Sequence, residues 1–298
     1  MAASTISIGT SKNSDAIRFI LGKEFRSLKG EGINVSLKES NLGDYTFIDC
    51  SINEVDKPEQ DMILRHNVAN VISDFIINYW EQRILNKITR DNFCFLTKEE
   101  MENVVNKARK ILESTSQPDE LFLYRLNRKS KILHEILDYL SLNTNINIDG
   151  FINFRLHDYV DDLYNILQQA VDEFMLEKEY REFILLLKYF VEIQEPKVEK
   201  IHVFLMADGY FQLLDDDNKA YNQQCFEGCI IDMVDKEINY EDLLISTLIT
   251  IAPKKIILHI PDSSKVKNML DTIEEVFDKQ VVRCNGCPQC SQRTHQNH

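Results

Sequence analysis

The rhythm of apolar and polar residues changes twice along this chain. Residues 5–8 alternate, as a half-buried strand does, and 14–28 then places Ile17, Ile20, Leu21 and Phe25 on one helical face. Alternation returns at 33–37 and 45–52. Asn41-Leu42-Gly43-Asp44 lies between those runs and supplies turn chemistry, which predicts a hairpin. From Asp61 to Pro196 helical spacing takes over. Val68, Val71, Ile72, Phe75, Ile76 and Tyr79 mark a helix over 63–85, and Thr97 with Glu100 reads as a capping box for a helix over 98–113. Shorter helices are expected over 120–126, with Asp119 at its start, and 130–140.

Asp149 is placed to cap the longest segment, 150–195, in which Ile152, Leu156, Tyr159, Leu163, Ile166, Ala170 and Phe174 form one stripe. After Glu177-Lys178-Glu179 the pattern is almost continuously apolar from Phe183 to Val191. This predicts a pillar helix, or two helices parted near Glu177, mostly buried along the second half and ended by Pro196. The last hundred residues read as α/β again. A hairpin is expected over 200–206 and 210–214 through Asp208-Gly209, then a helix over 239–251, a buried strand over 255–260, an amphipathic helix over 263–279 and a short strand over 281–283.

The fold class is therefore α+β, or mixed α/β. The chain divides into a small N-terminal α/β unit (1–60), a helical region (61–196), a C-terminal α/β unit (197–283) and a cysteine-rich tail (284–298). At 298 residues, 44% of them hydrophobic and 28% charged, it is long enough to bury substantial cores and is not composed like a disordered protein. The net charge of −14 argues against sequence-independent nucleic-acid or anionic-membrane binding. No signal peptide is evident, and the most apolar stretches are too short to span a bilayer. Seven cysteines, an odd number, fit a disulfide scaffold poorly, so the expected compartment is the cytoplasm, with reduced thiols.

Three of those cysteines, Cys284, Cys287 and Cys290, form Cys-x2-Cys-x2-Cys, with Gly286 and Pro288 to bend the chain around them. Thiols so spaced can reach one metal centre, either zinc or an iron–sulfur cluster, with a fourth ligand from elsewhere. The candidates for that fourth position are His295 and His298 nearby, or Cys225 and Cys229 through the fold. The competing reading is a tail of unliganded thiols with no cofactor.

The segment from Gly150-Phe151-Ile152-Asn153-Phe154-Arg155-Leu156 through Asp172–Tyr180 to Glu182–Val191, taken with the cysteine tail, resembles the YtxC family of sporulation proteins from spore-forming Gram-positive bacteria. The resemblance implies a cytoplasmic role in endospore formation. It supplies no catalytic residue or substrate.

Other groupings have plainer readings. Arg125, Arg128, Lys129 and Lys131 form a basic run suited to a phosphate, but such runs more often face solvent. His157 with Asp161 and Asp158 with Asp162 share helix faces, in a stripe that Asn165, Gln169 and Asp172 continue as a polar side. Asp215-Asp216-Asp217-Asn218 lacks the glycine and glutamate of a calcium loop, since Ala220 and Phe226 hold those positions. No acid–base or nucleophile constellation accompanies the cysteines, so no catalytic residue is assigned. Two functions remain. One is a non-enzymatic interaction protein with an as yet unknown protein partner, no nucleic acid and at most a structural metal. The other is a redox or iron–sulfur protein that uses the tail.

Overall fold

The computed structural model describes residues 4–30, 32–52, 58–113, 118–205, 211–217, 219–220, 240–259, 267–288 and 290. The chain forms an α+β fold with two compact units, Met1–Met175 and Leu176–His298.

In the first unit, β1 (Ser4–Thr10), β2 (Val35–Leu42), β3 (Tyr45–Ile52) and β4 (Asn145–Asn147) form a sheet in the order β2-β3-β1-β4. Leu42 pairs with Tyr45 across the expected hairpin, and Gly43 takes the positive φ of 61° that a tight turn demands. β4, which is too short to show alternation, runs parallel to β1. Ile6, Ile8, Ile48 and Ile52 are buried in one core with Ile17, Leu21 and Phe25 of α1 (Ser14–Gly30).

Helices supply the rest of that core. The segment expected as one helix is α2 (Pro58–Phe75), a π-helical turn (Ile76–Trp80) and α3 (Glu81–Asn92). The capping box of α4 (Lys98–Glu113) forms reciprocally: Thr97 N–H donates to Glu100 Oε2 at 2.8 Å, and Glu100 N–H to Thr97 Oγ1 at 3.3 Å. The two short helices expected next are a single α5 (Pro118–Leu142), because nothing in Asn127-Arg128-Lys129 breaks a helix.

Arg128 is buried and donates from Nη1 to Glu81 Oε2 at 2.6 Å, and the same oxygen accepts the Tyr159 hydroxyl at 2.6 Å. The neighbouring Lys129 and Lys131 pair with Asp74 and Asp162, and Arg125 donates to Asn78. The basic run thus holds helices together.

The longest segment departs from expectation in three ways. First, its N-cap is Asn147, whose Oδ1 accepts Gly150 N–H at 2.9 Å; the Asp149 carboxylate instead binds the backbone N–H and hydroxyl of Ser11. Second, the break falls at buried Leu156, where φ −99° and ψ 41° separate α6 (Ile148–Arg155) from α7 (His157–Ile193); α7 runs unbroken through Glu177.

Third, the second half of α7 is mostly exposed. Before Leu176, α7 buries Tyr159, Leu163, Leu167, Ala170, Val171 and Phe174. Beyond Met175 it buries Ile184, with Leu187 and Val191 partly covered. Leu176, Phe183, Leu185, Leu186, Tyr189, Phe190 and Ile193 face solvent. The apolar run goes most of the way round the helix, whereas the second core meets one side of it.

In the second unit the sheet order is β6-β5-β7-β8, built from β5 (Val198–Leu205), β6 (Phe211–Leu214), β7 (Pro253–His259) and β8 (Val281–Arg283). β6 is antiparallel to β5, as the hairpin pattern predicts, while β7 is parallel to both β5 and β8. α8 (Tyr240–Ile251) precedes β7, and α9 (Lys267–Phe277) with a 3-10 turn (Asp278–Gln280) links β7 to β8. Alternation sends Ile201, Val203, Ile256 and Leu258 into a core with Leu244, Leu248, Ile273 and Phe277. His202, Phe204, Ile257 and His259 therefore share the opposite face.

Two stability outcomes follow from these placements. Glu81→Ala leaves the Arg128 guanidinium buried without its carboxylate, and should lower the unfolding free energy by about 3–5 kcal/mol. Leu167→Ala, in the first core, should cost about 2–5 kcal/mol, whereas Leu185→Ala, on the exposed side of α7, should cost less than about 0.5 kcal/mol. Urea unfolding of the three variants measures all of these. Equal costs at Leu167 and Leu185 would contradict the orientation of α7.

Candidate metal centre

β8 is only three residues long, yet its pairing continues one step past its end. Leu258 is in register with Arg283, and Cys284 N–H donates to Leu258 C=O at 2.9 Å. Hydrogen bonding thus carries the start of the cysteine knuckle to the last residue of β7. Gly286, at φ 101°, then turns the chain back where a Cβ would be strained, and Cys287 and Cys290 return toward the sheet.

The residue they meet is His259. The ligand atoms of His259, Cys284, Cys287 and Cys290 all lie within 4.8 Å of one another, a group that could hold a metal ion. His259 Nδ1 is 3.2 Å from Cys290 Sγ and 3.6 Å from Cys287 Sγ. Cys290 Sγ is 3.8 Å from Cys284 Sγ and 3.6 Å from Cys287 Sγ. Those sulfur–sulfur distances are far longer than the ~2.05 Å of a disulfide bond. The four donors come from a strand end and the loop after the neighbouring strand, so strand pairing sets their mutual position.

The imidazole of His259 is fixed on its other sides. Phe204, its register partner on β5, stacks on it with centroids 4.1 Å apart and planes 5° from parallel. His259 Nε2 lies 2.9 Å from His202 Nδ1, and His202 Nε2 lies 3.4 Å from Asp216 Oδ1. A proton arrangement that satisfies this row has His259 Nε2–H donating to His202 and His202 Nε2–H donating to Asp216. That arrangement leaves the lone pair of His259 Nδ1 aimed at the sulfurs. Lys200 Nζ also donates to the Asp216 carboxylate at 3.0 Å, and hydrogen bonds from Lys200 and His202 hold the carboxyl below its ordinary pKa. At Cys290, desolvation, aided by the neighbouring Cys287 and Cys284 thiols, raises the pKa. A bound cation would reverse that balance by favouring the thiolate.

The three cysteines expected to act together do converge. The candidates for a fourth donor, Cys225, Cys229, His295 and His298, lie outside the described residues, and the fourth donor among the described residues is His259. A lone histidine at the end of an apolar strand carries little signal by itself. The signal available was topological: in a β-α-β unit the residues after β8 lie beside the end of β7. His202 and Asp216 were likewise missed, the acidic run having been weighed only against a calcium loop. Asp215 Oδ1 accepts the backbone N–H groups of Asp217 and Lys219, and Asp216 reaches the histidine row. Among the acidic pairs of α7, His157, Asp158 and Asp161 are exposed, and Asp162 pairs with Lys131.

Among the described residues no helix is long and apolar enough to cross a membrane. No solved structure matches the chain. It is similar to a Bacillus subtilis (strain 168) protein described as uncharacterized protein YtxC, with 26% identity over 214 residues, covering 71% of this chain and 74% of that one. Residues 66–282 match the YtxC-like family, a span that includes His202, Asp216 and His259 and stops two residues short of Cys284. The chain belongs to the YtxC-like family.

Proposed function

We propose that His259, Cys284, Cys287 and Cys290 form a structural zinc site, and that the protein is a cytoplasmic, non-enzymatic interaction protein of endospore formation. The observation that carries the zinc reading is the spacing of the donor atoms. Tetrahedral zinc, with Zn–S of about 2.3 Å and Zn–N of about 2.0–2.1 Å, requires S···S edges of about 3.8 Å and S···N edges of about 3.6 Å. Four of the six edges here are 3.6 and 3.8 Å between sulfurs and 3.2 and 3.6 Å from nitrogen to sulfur, and all six lie within 4.8 Å. An iron–sulfur cubane spreads its thiolates over separate irons, whereas these donors lie within 4.8 Å of one another. Three thiolates and one imidazole also suit zinc chemically.

Four protein donors leave no open coordination position, which favours a structural role over metal-assisted catalysis. In that role zinc would pin the knuckle after β8 to the end of β7 and so hold a three-residue edge strand in the sheet. His202 and Asp216 would orient the ligand histidine, as outer partners of metal-bound imidazoles commonly do. The sporulation role rests on the family resemblance, and the cytoplasmic assignment on the reduced-thiol composition.

Purified full-length protein should contain about one zinc per chain and show no visible absorption band. Cys287→Ser or His259→Ala should release it, while Cys94→Ser, at an exposed position remote in sequence from the cluster, should retain it. Iron with a visible band that bleaches in air would replace zinc by an iron–sulfur centre; no stoichiometric metal would leave the cysteines unliganded.

His202→Ala should weaken zinc binding about 10–100-fold in a chelator competition. Unchanged affinity would remove the histidine row from the account. Deleting the gene in a sporulating host should lower the yield of heat-resistant spores without slowing vegetative growth. Wild-type spore counts would reject the sporulation reading and leave the zinc site untouched.

A further inference from the structure

The exposed half of α7 carries a heptad pattern. Leu176, Phe183 and Phe190 recur every seven residues, and Glu179, Leu186 and Ile193 form a second seven-residue series three positions later. These are the a and d positions of a coiled-coil seam, with Glu179 the one polar member. Ile184 and Val191, at b positions off the seam, pack into the core of the second unit, and Leu187, at an e position, lies between that core and the seam. Its five apolar members, with Tyr189 on its flank, are each 42–66% exposed.

Side chains of this size present ~200 Å² each, so six of them leave roughly 600–700 Å² of mostly apolar surface on one helix. Monomeric proteins seldom leave a contiguous apolar patch larger than ~300–600 Å². Paired over 183–193, two such faces would bury roughly 1,000 Å², about the area that a specific protein–protein interface needs.

We propose that this face of α7 pairs with the same face of a second copy of the chain, as an antiparallel helix pair about a two-fold axis near Lys188. Charge sets the direction. A parallel pair would oppose Glu179 to its own copy inside the seam, whereas an antiparallel pair moves the two carboxylates to opposite ends. The antiparallel register also makes the face complementary to itself: Phe183 of one copy meets Ile193 of the other, and Leu186 meets Phe190. Each layer then joins one phenyl ring to one aliphatic side chain. A two-fold pair is the commonest closed assembly of soluble proteins, and it hides the seam from Phe183 to Ile193, with Leu176 and Glu179 beyond the end of the partner helix. The inference is independent of the zinc site, which lies on other elements.

Sedimentation equilibrium on the zinc-replete full-length chain should return twice the 34.8 kDa chain mass at micromolar concentration. Phe183→Glu and Phe190→Glu should each sediment as single chains, with unchanged far-UV circular dichroism and unchanged zinc content. Leu185→Glu, at an exposed apolar position outside the seam, should remain a dimer, and Leu186→Asn serves as a milder seam variant should either glutamate prevent folding. A wild-type chain that stays monomeric across the micromolar range would overturn the proposal. So would a dimer that survives the seam substitutions, or one lost equally to Leu185→Glu.

Discussion

The placing of the cysteine knuckle depends on a single backbone hydrogen bond in register, from Cys284 N–H to Leu258 C=O. It extends the parallel ladder of β7 and β8 to the first cysteine, and so brings the knuckle to the level of His259. Shifting the pairing by one residue would turn every side chain of β8 to the other face of the sheet. Val281 would then leave the core, and the thiols would lose their approach to the imidazole. The three-residue β8 contributes too few ladder bonds to resist such a slip by itself. A metal ion held between the end of β7 and the knuckle would supply a restraint at that point.

The same sheet accounts for the histidine row. Parallel pairing of β5 with β7 sets Phe204 beside His259 and His202 one step back on the same face. The ring stack and the Nε2 contact leave the His259 imidazole little rotational freedom. The candidate metal site is thus built on strands, the most rigid elements available.

Where local pattern and tertiary context agree, the elements were legible from residues alone. The capping box at Thr97 and Glu100, the strand 45–52, the hairpin turn at Gly43 and the strand 281–283 are all local signals. The break at Leu156 was not legible, because it involves neither glycine nor proline; nor was β4, whose three residues are placed by β1. Apolar density misled along 183–191. It measures how much of a helix avoids water, but not whether this chain or another molecule provides the cover. For the candidate site, cysteine spacing pointed to three of the four grouped residues because they are close in sequence. The fourth is set by strand order, which no window of sequence contains.

X-ray absorption at the zinc edge of the purified full-length protein tests the central claim most directly. The geometry predicts a first shell of three sulfurs at about 2.3 Å and one nitrogen at about 2.0–2.1 Å, with the outer-shell scattering of a single imidazole. An absent zinc edge, an oxygen-rich shell, or an iron edge with a metal–metal vector would contradict it.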